Sequence, residues 1–597
     1  MTHRTTRPLL LVLAAVLAAC GSKKSSSSQQ TQIGNAGDPC LLPQFACATG
    51  LACIDARCGP LPAKAGDACD LSTSCPSGLG CVFGRCATLA GSGAACGPQA
   101  PCASGLFCAG VTATGGGTCQ ASLPSATCTP PTSLPSSTSI VSEGTVTIDP
   151  ATLAKYSAVP FQTTADAAHC VLPIQTPLQG TTAQQLGTHQ VGTQVGFTVA
   201  PGTVSFSIVS QESDHTALDS FIFSGSTFPN SVVPTDVTLP SGTVAYDDTA
   251  IPFPQPDPDA YARLLAYYGA SSVSDGAFTV PNTTRSVQDV SAAGALPPGG
   301  WSAVVNDVAF EANATGGTNG QYDLAVISRP GPLTSTGTVD VAVYLVTKST
   351  LTSTSAVTDP HFQRWTRSVA LLLGRAGICV GTFHVYDLPP ALVNLWYSIN
   401  IDQDKPCDPL AQMFTVSSGT NAPGAIQLFL TDDLTASGLQ PGQSLAGIDG
   451  TIPGPSLVPG LINSGAAVAI GTDLDGGTCG TGFDPIHCGA DFLAYIGAHE
   501  SGHWLGLYHL TESGGTLFDP ITDTPACQCS SCASTNAGNC GKSSSTATAQ
   551  VTASDCTKNT TCAGGDNLMF WIYQDGPSQG TLTSQQAMVM RLNPAVH

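Results

Sequence analysis

Three histidines near the carboxyl end of the chain have the spacing of metal ligands. His499 and His503 are four residues apart, and an apolar run at 492–496 precedes them. On a helix, this spacing puts both imidazoles on one face, where they can bind a single ion. Gly506 follows, and a glycine lets the chain leave a helix in a left-handed conformation and turn sharply. That turn would return His509 as a third ligand and leave a fourth position for water or substrate, as in a catalytic zinc site.

Glu500 is the candidate acid–base residue. It directly follows the first histidine, so its side chain would lie beside the metal rather than on it. A carboxylate in that place can take a proton from a zinc-bound water, whose pKa the ion lowers toward ~7. A helix that carries histidines without a metal is the alternative, but the chain has only 11 histidines in 597 residues. Their spacing, together with the glutamate and the glycine, favours the metal site.

The long pattern H-E-x-x-H-x-x-G-x-x-H at 499–509 resembles the metzincin clan of zinc endopeptidases. Three other segments are similar to its pappalysin-like (cytophagalysin) branch, at 519–525, 567–569 and 582–592. The resemblance runs from near residue 351 to the end of the chain. It implies a Met-turn in which Met569 forms the hydrophobic floor beneath the metal site.

The resemblance also implies a function, namely zinc-dependent hydrolysis of peptide bonds in extracellular proteins. Zn²⁺ would be held by His499, His503 and His509, and Glu500 would activate the zinc-bound water. One position departs from the family, because metzincins often carry a tyrosine two residues after the Met-turn methionine. Trp571 stands there instead, and the nearest tyrosine is Tyr573. An indole N–H donates a hydrogen bond but cannot ligate zinc as a phenolate could.

Two other classes of protein remain open. The first is a lipid-anchored surface adhesin or binding protein with an inactive protease-like domain, for which the departure at Trp571 leaves room. The intact Glu500 speaks against it, because a binding protein has no chemical need for that residue. The second is a structural surface protein in which zinc serves only stability. Zinc removal would then unfold the carboxy-terminal domain without abolishing any turnover.

A second ion site is implied by the resemblance, in the segment after the zinc pattern. Pappalysin-like enzymes can hold Ca²⁺ there, a hard ion that prefers oxygen ligands. The candidate ligands in this sequence are Asp519, Thr522, Asp523 and Thr524. A polar turn before Pro525 is the alternative.

The amino terminus has the profile of an export signal. Arg4 and Arg7 precede a short apolar run at 9–17, too short for a stable membrane span. The sequence around Cys20 resembles the bacterial lipobox, which implies cleavage of a signal peptide at 1–19 and attachment of lipid to that cysteine. An outer-membrane or cell-surface lipoprotein is expected, with a soluble secreted protein as the alternative. Residues 20–36 read as a flexible tether.

Residues 37–128 contain a cysteine-rich repeat. Its three units each carry four cysteines: 40, 47, 53 and 58, then 69, 75, 81 and 86, then 96, 102, 108 and 119. Units this short cannot each bury a core, and an exported protein meets oxidising conditions, so disulfides are expected rather than zinc knuckles. Elsewhere three pairs are possible, Cys128 with Cys170, Cys379 with Cys407, and Cys479 with Cys488. The connectivity of the six cysteines between 527 and 562 stays open.

The remaining sequence predicts a multidomain protein. A Pro/Ser/Thr-rich linker at 129–142 leads to an accessory domain at 143–348, in which short alternating runs punctuated by turns favour a β-sandwich. Its clearest strands are expected at 191–199, 203–209, 218–223, 301–310 and 339–347. The last domain, 349–597, is expected to be an α/β (α+β) metzincin-like fold, with a helix at 361–377 and strands at 380–385, 426–431 and 466–470. By resemblance, the strand at 466–470 would border the cleft, while His384 and His487 would lie outside the metal site.

Charge excludes one class of partner. The formal net charge is −21, and only 10% of the residues are charged. Because the nucleic-acid backbone attracts basic proteins, an acidic chain of this kind is a poor nucleic-acid binder. The expected partners are a protein or peptide substrate and, through the lipid anchor, a membrane.

Overall fold

The computed structural model of the chain describes residues 32–36, 45–49, 51–54, 57–69, 75–125, 128–158, 169–171, 183–190, 192–212, 217–223, 226–229, 232–242, 244–247, 276–307, 321–401, 409–420, 422, 424–436, 444–471, 473–482, 488–515, 518–535, 540, 549–574 and 578–597. The predicted signal peptide and the lipidation site at Cys20 lie outside these residues, as does His487. Among the residues described, every helix falls short of the length and apolar character that a membrane span requires.

The described residues form a mixed α/β structure with many small sheets. Its strands are β1 Gln32–Gly34, β2 Phe45–Cys47, β3 Leu51–Ile54, β4 Arg57–Pro60, β5 Leu79–Val82, β6 Arg85–Thr88, β7 Ala95–Cys96, β8 Phe107–Ala109, β9 Gly117–Gln120, β10 Ser139–Thr145, β11 His169–Val171, β12 Gln184–Gln190, β13 Gln194–Val199, β14 Thr203–Glu212, β15 Ala217–Phe223, β16 Ser226–Pro229, β17 Val232–Thr238, β18 Val244–Asp247, β19 Gly276–Val280, β20 Gly299–Asp307, β21 Gln321–Pro330, β22 Gly337–Val346, β23 Ile378–Asp387, β24 Ser398–Asn400, β25 Ile426–Thr431, β26 Asp433–Thr435, β27 Gly447–Asp449 and β28 Ala466–Ala469. Its helices are α1 Pro150–Ala158, α2 Thr284–Ala293, α3 Ser353–Ala356, α4 Pro360–Gly374, α5 Pro390–Trp396, α6 Pro409–Thr415, α7 Gly489–Trp504, α8 Cys529–Cys532 and α9 Ser584–Leu592, with 3-10 turns at Val416–Gly419 and Asp555–Thr557.

The cysteine-rich repeats are stapled by disulfides, as predicted. In the second and third units the first cysteine pairs with the third and the second with the fourth, and in the first unit the described bond joins the second to the fourth. The described bonds are Cys47–Cys58, Cys69–Cys81, Cys75–Cys86, Cys96–Cys108 and Cys102–Cys119. Sulfurs that are joined to one another are not metal ligands, so the described units contain no zinc knuckle formed by these cysteines.

Two four-stranded antiparallel sheets follow, in the orders β12-β21-β14-β19 and β13-β20-β17-β18. Their facing sides meet through aromatic rings. Phe206 of one sheet lies 5.2 Å from Phe197 and 5.1 Å from Trp301 of the other, measured between ring centroids. The alternation predicted along β13 is present, because Val195, Phe197 and Val199 are buried and the residues between them are exposed. A smaller sheet, β11-β15-β16, lies in the same part of the chain.

Helix α2 joins the repeats to these sheets. It begins at a capping box on Thr283. The backbone N–H of Phe83 donates to Asp289 on this helix (2.8 Å), and that of Cys102 donates to the carbonyl of Ala292 (2.8 Å). The second and third repeats are therefore docked on α2.

A six-stranded sheet, β10-β23-β22-β25-β28-β27, is the frame of the carboxy-terminal part. Its first five strands are parallel, and β27 pairs antiparallel with β28 at the edge. The strand at 466–470, expected to border the cleft, is β28, which lies one position inside the sheet. The edge strand is β27, because residues 447–449 form an additional strand on the side of β28 that faces away from β25. No apolar run in the sequence announces that strand, which has only three residues.

Two strands of this sheet come from segments that the sequence assigned elsewhere. Strand β22 ends the predicted accessory domain, 143–348, but it lies between β23 and β25 of the six-stranded sheet. Strand β10 begins within the predicted linker, 129–142, and pairs with β23. The pattern of β22 explains the difference. From Val341 to Val346 every residue is buried, which is typical of a central parallel strand covered on both faces.

Helices α4 and α7 cover one face of the sheet. Asp359 caps α4 by accepting from the backbone N–H groups of His361 (2.9 Å) and Phe362 (2.8 Å). A buried ion pair joins the two helices, with Arg364 Nε 2.6 Å from Asp491 Oδ1 and Nη2 2.6 Å from Oδ2. This fork fixes the position of the helix that carries the candidate metal ligands.

The other disulfides confirm one predicted pair and overturn two, because Cys128, predicted to pair with Cys170, and Cys379, predicted to pair with Cys407, are bonded to each other. Cys479–Cys488 is present as predicted. Cys128 bonds to Cys379, 251 residues away, and therefore does not form the predicted bond to Cys170. The reason is the sheet, since β10 brings the linker beside β23, where Cys379 lies. Cys407 lies outside the described residues.

The segment at 527–562, here called the insert, has its own small disulfide-linked core. Its bonds are Cys527–Cys556, Cys529–Cys540 and Cys532–Cys562. Buried Val551 and Phe570 pack with these sulfurs.

Candidate metal centre

Helix α7 and the turn after it bring three histidines together. His499 and His503 lie on the last turns of α7, which ends at Trp504. Gly506 then has φ +108°, a backbone conformation that L side chains rarely adopt, and the chain reverses. The reversal places His509 Nε2 3.1 Å from His499 Nε2 and 3.1 Å from His503 Nε2. The one-ion geometry predicted from the spacing is therefore present among the protein atoms, with the three donor atoms within 4.8 Å of one another.

The outer nitrogen of each imidazole has its own acceptor. The Nδ1–O distances are 2.7 Å from His499 to the Leu568 carbonyl, 2.6 Å from His503 to the Leu507 carbonyl and 3.0 Å from His509 to the Glu512 carboxylate. Because carbonyl and carboxylate oxygens only accept, Nδ1 carries the proton in all three rings. Each Nε2 then presents a lone pair toward the shared point, and the ring orientation is fixed.

Burial keeps two of these rings neutral. It lowers the pKa of His499 to about 3, with the neighbouring His509 adding to the effect. It also lowers the pKa of His503, next to His499 and His509. Neutral imidazole is the form that binds a metal. Three imidazole nitrogens around one point fit zinc, which takes histidine ligands readily and keeps a fourth position open in catalytic sites.

Glu500 follows His499 on α7, and its side chain is buried. It is 5% exposed, and its Oε2 atom has no hydrogen-bond partner among the described residues. Burial raises the pKa of this carboxyl group to about 8. A buried carboxyl oxygen without a partner is costly unless a ligand, a water or a proton completes it. The geometry thus leaves this oxygen available to the candidate site.

Strand β27 forms the wall opposite Glu500, which the sequence did not reveal. A Cβ on Gly447 would lie 2.4 Å from Glu500 Oε1, so the strand approaches the carboxylate as closely as a glycine allows. Asp449, two residues further along, shares that face of the strand. Its Oδ2 atom is buried without a hydrogen-bond partner in the described structure, and burial together with Glu500 raises its pKa.

Met569 lies directly beneath α7. Its side chain is fully buried, and a Cβ on Gly502 would lie 2.5 Å from its sulfur. Asn567 holds this turn, because its Oδ1 atom accepts from the backbone N–H of Met569 (2.9 Å). The preceding residue, Leu568, supplies the carbonyl that His499 contacts. The methionine predicted as the floor is thus brought next to the helix that carries the histidines.

Trp571 and Tyr573 have other contacts. The indole N–H of Trp571 donates to the carbonyl of Val551 in the insert (2.8 Å). The ring of Tyr573 packs against Phe492 (5.0 Å between centroids) and Tyr495 (5.4 Å), both on α7 before the first histidine. The indole N–H of Trp571, which could have taken the place of the tyrosine found in metzincins, is therefore already hydrogen-bonded to the insert.

The four candidate calcium ligands have protein partners. Asp523 accepts from Thr583 Oγ1 (2.7 Å) and from the backbone N–H of Gln585 (3.0 Å), at the start of α9. Thr524 Oγ1 donates to Asp519 Oδ1 (2.5 Å). The fourth, Thr522, contacts the hydroxyl of Thr284 on α2 (3.1 Å). These contacts describe a polar turn that caps a helix, and calcium binding here stays a prediction.

Outside the centre, His384 pairs with Glu143 across β23 and β10, at 2.7 Å between Nδ1 and Oε1. The pair thus lies at the edge of the sheet opposite β27, away from the three histidines, in agreement with the predicted place of His384.

Around the centre, three convergent imidazoles and a buried carboxylate can hold a divalent ion and move a proton beside it. Comparison with models of known protein families and with curated proteins finds no match to this chain.

Proposed function

We propose that this chain is a zinc-dependent endopeptidase that hydrolyses peptide bonds of extracellular proteins. The observation that carries the proposal is the convergence of the Nε2 atoms of His499, His503 and His509 on the helix, and the turn after it, that also carries the buried carboxylate of Glu500. A site built only for stability has no use for an unpartnered carboxyl oxygen next to the ion, because leaving it buried costs free energy.

In this mechanism the three histidines hold the ion. Zinc, when bound there, supplies a Lewis acid that polarises a peptide carbonyl and lowers the pKa of water. Glu500 accepts a proton from the water whose oxygen attacks the peptide carbonyl carbon, and it later delivers that proton to the nitrogen of the leaving amine as the C–N bond breaks. Burial, which raises the pKa of this carboxyl group to about 8, favours the protonated form between the two transfers. The carboxylate form that starts the reaction would be favoured by the positive charge of an ion held by the three histidines.

The substrate would lie along β27. This strand ends the six-stranded sheet in the described structure, and an edge strand can pair with an extended peptide through main-chain hydrogen bonds. Gly447 on this strand faces Glu500, so a paired peptide would pass close to the reacting groups. Cleavage of an extended segment of a protein or peptide is therefore the proposed reaction.

The proposed location is the outer membrane or cell surface, through lipid on Cys20 after removal of residues 1–19. The disulfides of the repeats and the insert support an oxidising compartment.

The test is a paired measurement of zinc content and of cleavage of a mixed peptide library. It compares the unmutated protein with Glu500→Gln, which keeps the side-chain volume. Glu143→Gln, at the opposite edge of the sheet, is the control. We expect about one zinc per chain in all three and a 10²–10⁴-fold or greater loss of cleavage only in Glu500→Gln. Zinc without cleavage in the unmutated protein would favour the binding-protein alternative, and no zinc would overturn the proposal.

A further inference from the structure

His509 is held differently from the other two histidines. His499 and His503 donate to backbone carbonyls, whereas His509 Nδ1 lies 3.0 Å from Glu512 Oε1. His509 also lies beyond the end of α7, so no helix fixes its backbone. A carboxylate accepts a stronger hydrogen bond than a carbonyl, and its charge makes the opposite nitrogen of the ring a better donor to a metal. Among the described residues, the outer nitrogen of this ring is therefore held by a side chain rather than by the backbone.

Glu512 begins a tight turn. The backbone N–H of Gly515 donates to its carbonyl (2.8 Å), and Thr511, just before it, forms a bridge with Phe518. A Cβ on Gly515 would lie 2.6 Å from the backbone nitrogen of Cys529, so the turn and the insert are in close contact. The position of the Glu512 carboxylate thus follows from how this turn is held.

The insert holds the turn through three hydrogen bonds. They run from Cys527 N to Thr511 Oγ1 (3.2 Å), from Cys529 N to Gly515 O (3.0 Å) and from Val551 N to Ser513 O (3.0 Å). Two of these donors belong to cysteines whose sulfurs are bonded in Cys527–Cys556 and Cys529–Cys540. The disulfides therefore fix the backbone N–H groups that hold the turn by hydrogen bonds.

We propose that Glu512 is the positioning residue of His509, and that the disulfide-linked insert acts on the metal centre by holding the turn that carries Glu512. This inference rests on the proposed zinc function. Glu512 acts through its hydrogen bond with His509, and its role is to hold the third ligand in place and to strengthen its donor nitrogen. The insert thereby has a task in the site, although it supplies none of the proposed zinc ligands.

The first test measures the zinc dissociation constant by competition with a chromophoric chelator. Glu512→Gln keeps an acceptor without the charge, and Glu512→Ala removes both. Glu143→Gln is the matched control, because Glu143 also pairs with a histidine. Its Oε1 atom lies 2.7 Å from His384 Nδ1, and this pair lies away from the candidate metal centre. We expect the constant to rise about 10- to 100-fold for alanine, less for glutamine, and not at all for the control. A change in the absorption spectrum of the cobalt-loaded alanine variant would report the altered ligand geometry. An unchanged constant in both Glu512 variants would overturn the role of Glu512.

The second test addresses the insert. Thr511→Val removes the acceptor of the Cys527 N–H with little change in volume, and a Cys529→Ser/Cys540→Ser pair removes one staple. A Cys96→Ser/Cys108→Ser pair in the third repeat is the control, since that bond closes a similar loop. The inference is supported if zinc binding weakens in the first two variants and not in the control. It is overturned if zinc binding in those variants equals that of the control. If the unmutated protein binds zinc and cleaves peptides while all these variants match it, only this inference fails. If it binds no zinc, the proposed function fails.

Discussion

Gly447 leaves the space that the carboxylate of Glu500 occupies. A Cβ at this position would lie 2.4 Å from Oε1 and 2.8 Å from both Cδ and Cγ of that side chain. Contacts that short force a movement, and the end of the glutamate is what can move. The strand and the proposed base are thus fitted to one another.

Gly447→Ala is therefore expected to lower kcat at least tenfold, which corresponds to about 1.4 kcal/mol, while zinc content stays unchanged. The measurement is steady-state cleavage of a peptide selected from the library, with zinc determined on the same sample. Gly196→Ala is the control, because its Cβ would meet only the carbonyl of Trp301, at 3.8 Å. Full activity in Gly447→Ala would contradict the close fit.

A second prediction concerns the turn that returns His509. Gly506 has φ +108°, and an alanine there carries a backbone strain of about 1–3 kcal/mol. Gly506→Ala is expected to shift His509 and to weaken zinc binding by at least tenfold, while the helical circular dichroism of the protein stays the same. Gly300→Ala serves as the control, because its Cβ would meet nothing within 4 Å. Equal zinc affinity in the two variants would show that the turn tolerates a side chain.

The ion pair between α4 and α7 gives a third prediction. The side chains of Arg364 and Asp491 are 5% and 0% exposed, and Ser368 Oγ also donates to Asp491 (2.8 Å). Removing Asp491 leaves the buried charge of Arg364 without its counter-charge. Asp491→Ala should therefore lower the free energy of unfolding by about 3–5 kcal/mol. The double change Arg364→Met/Asp491→Leu should cost less, because it leaves neither charge. Urea unfolding followed by tryptophan fluorescence compares them, and a double variant less stable than the single one would refute this account.

The insert should lose stability in acid. Burial acts to raise the pKa of Asp555, but hydrogen bonds from Lys558, Ser534 and Thr552 outweigh it and lower the pKa to about 2. The unfolded value is ~3.9, so the carboxylate stabilises the folded state above about pH 4, and this contribution is lost as the pH falls toward 2. Thermal melting of Asp555→Asn against the unmutated protein should show a lower Tm for the variant at pH 7 and no difference near pH 2. A difference that persists at pH 2 would assign the stability to something other than this charge.

The convergence of the three histidines could be predicted from the sequence because it is local. His499, His503 and Gly506 lie within two turns of one helix and its end, where spacing alone decides which side chains meet. Met569 lies 60 residues further on, and only the resemblance to metzincins indicated its place. The carbonyls that orient His499 and His503 carry no sequence signal, since every residue has one.

What the sequence did not reveal depends on contacts between distant segments. Gly447 and Asp449 lie on a strand of three residues whose place in the sheet follows from β28. Glu512 looks like an ordinary surface glutamate until the turn brings it to His509. The bond between Cys128 and Cys379 spans 251 residues, and cysteine spacing cannot indicate such a pair.

The place of β22 also decides how short the chain can be made. A polypeptide that begins at residue 349 would contain all the metal ligands but lack the strand between β23 and β25, so its main sheet would be split into two halves. It would also leave Cys379 without its disulfide partner. An active fragment for expression should therefore start before Cys128, which brings the β-sheets and α2 with it. In this protein the candidate metal centre and the region expected to be its accessory are one unit for the purposes of truncation.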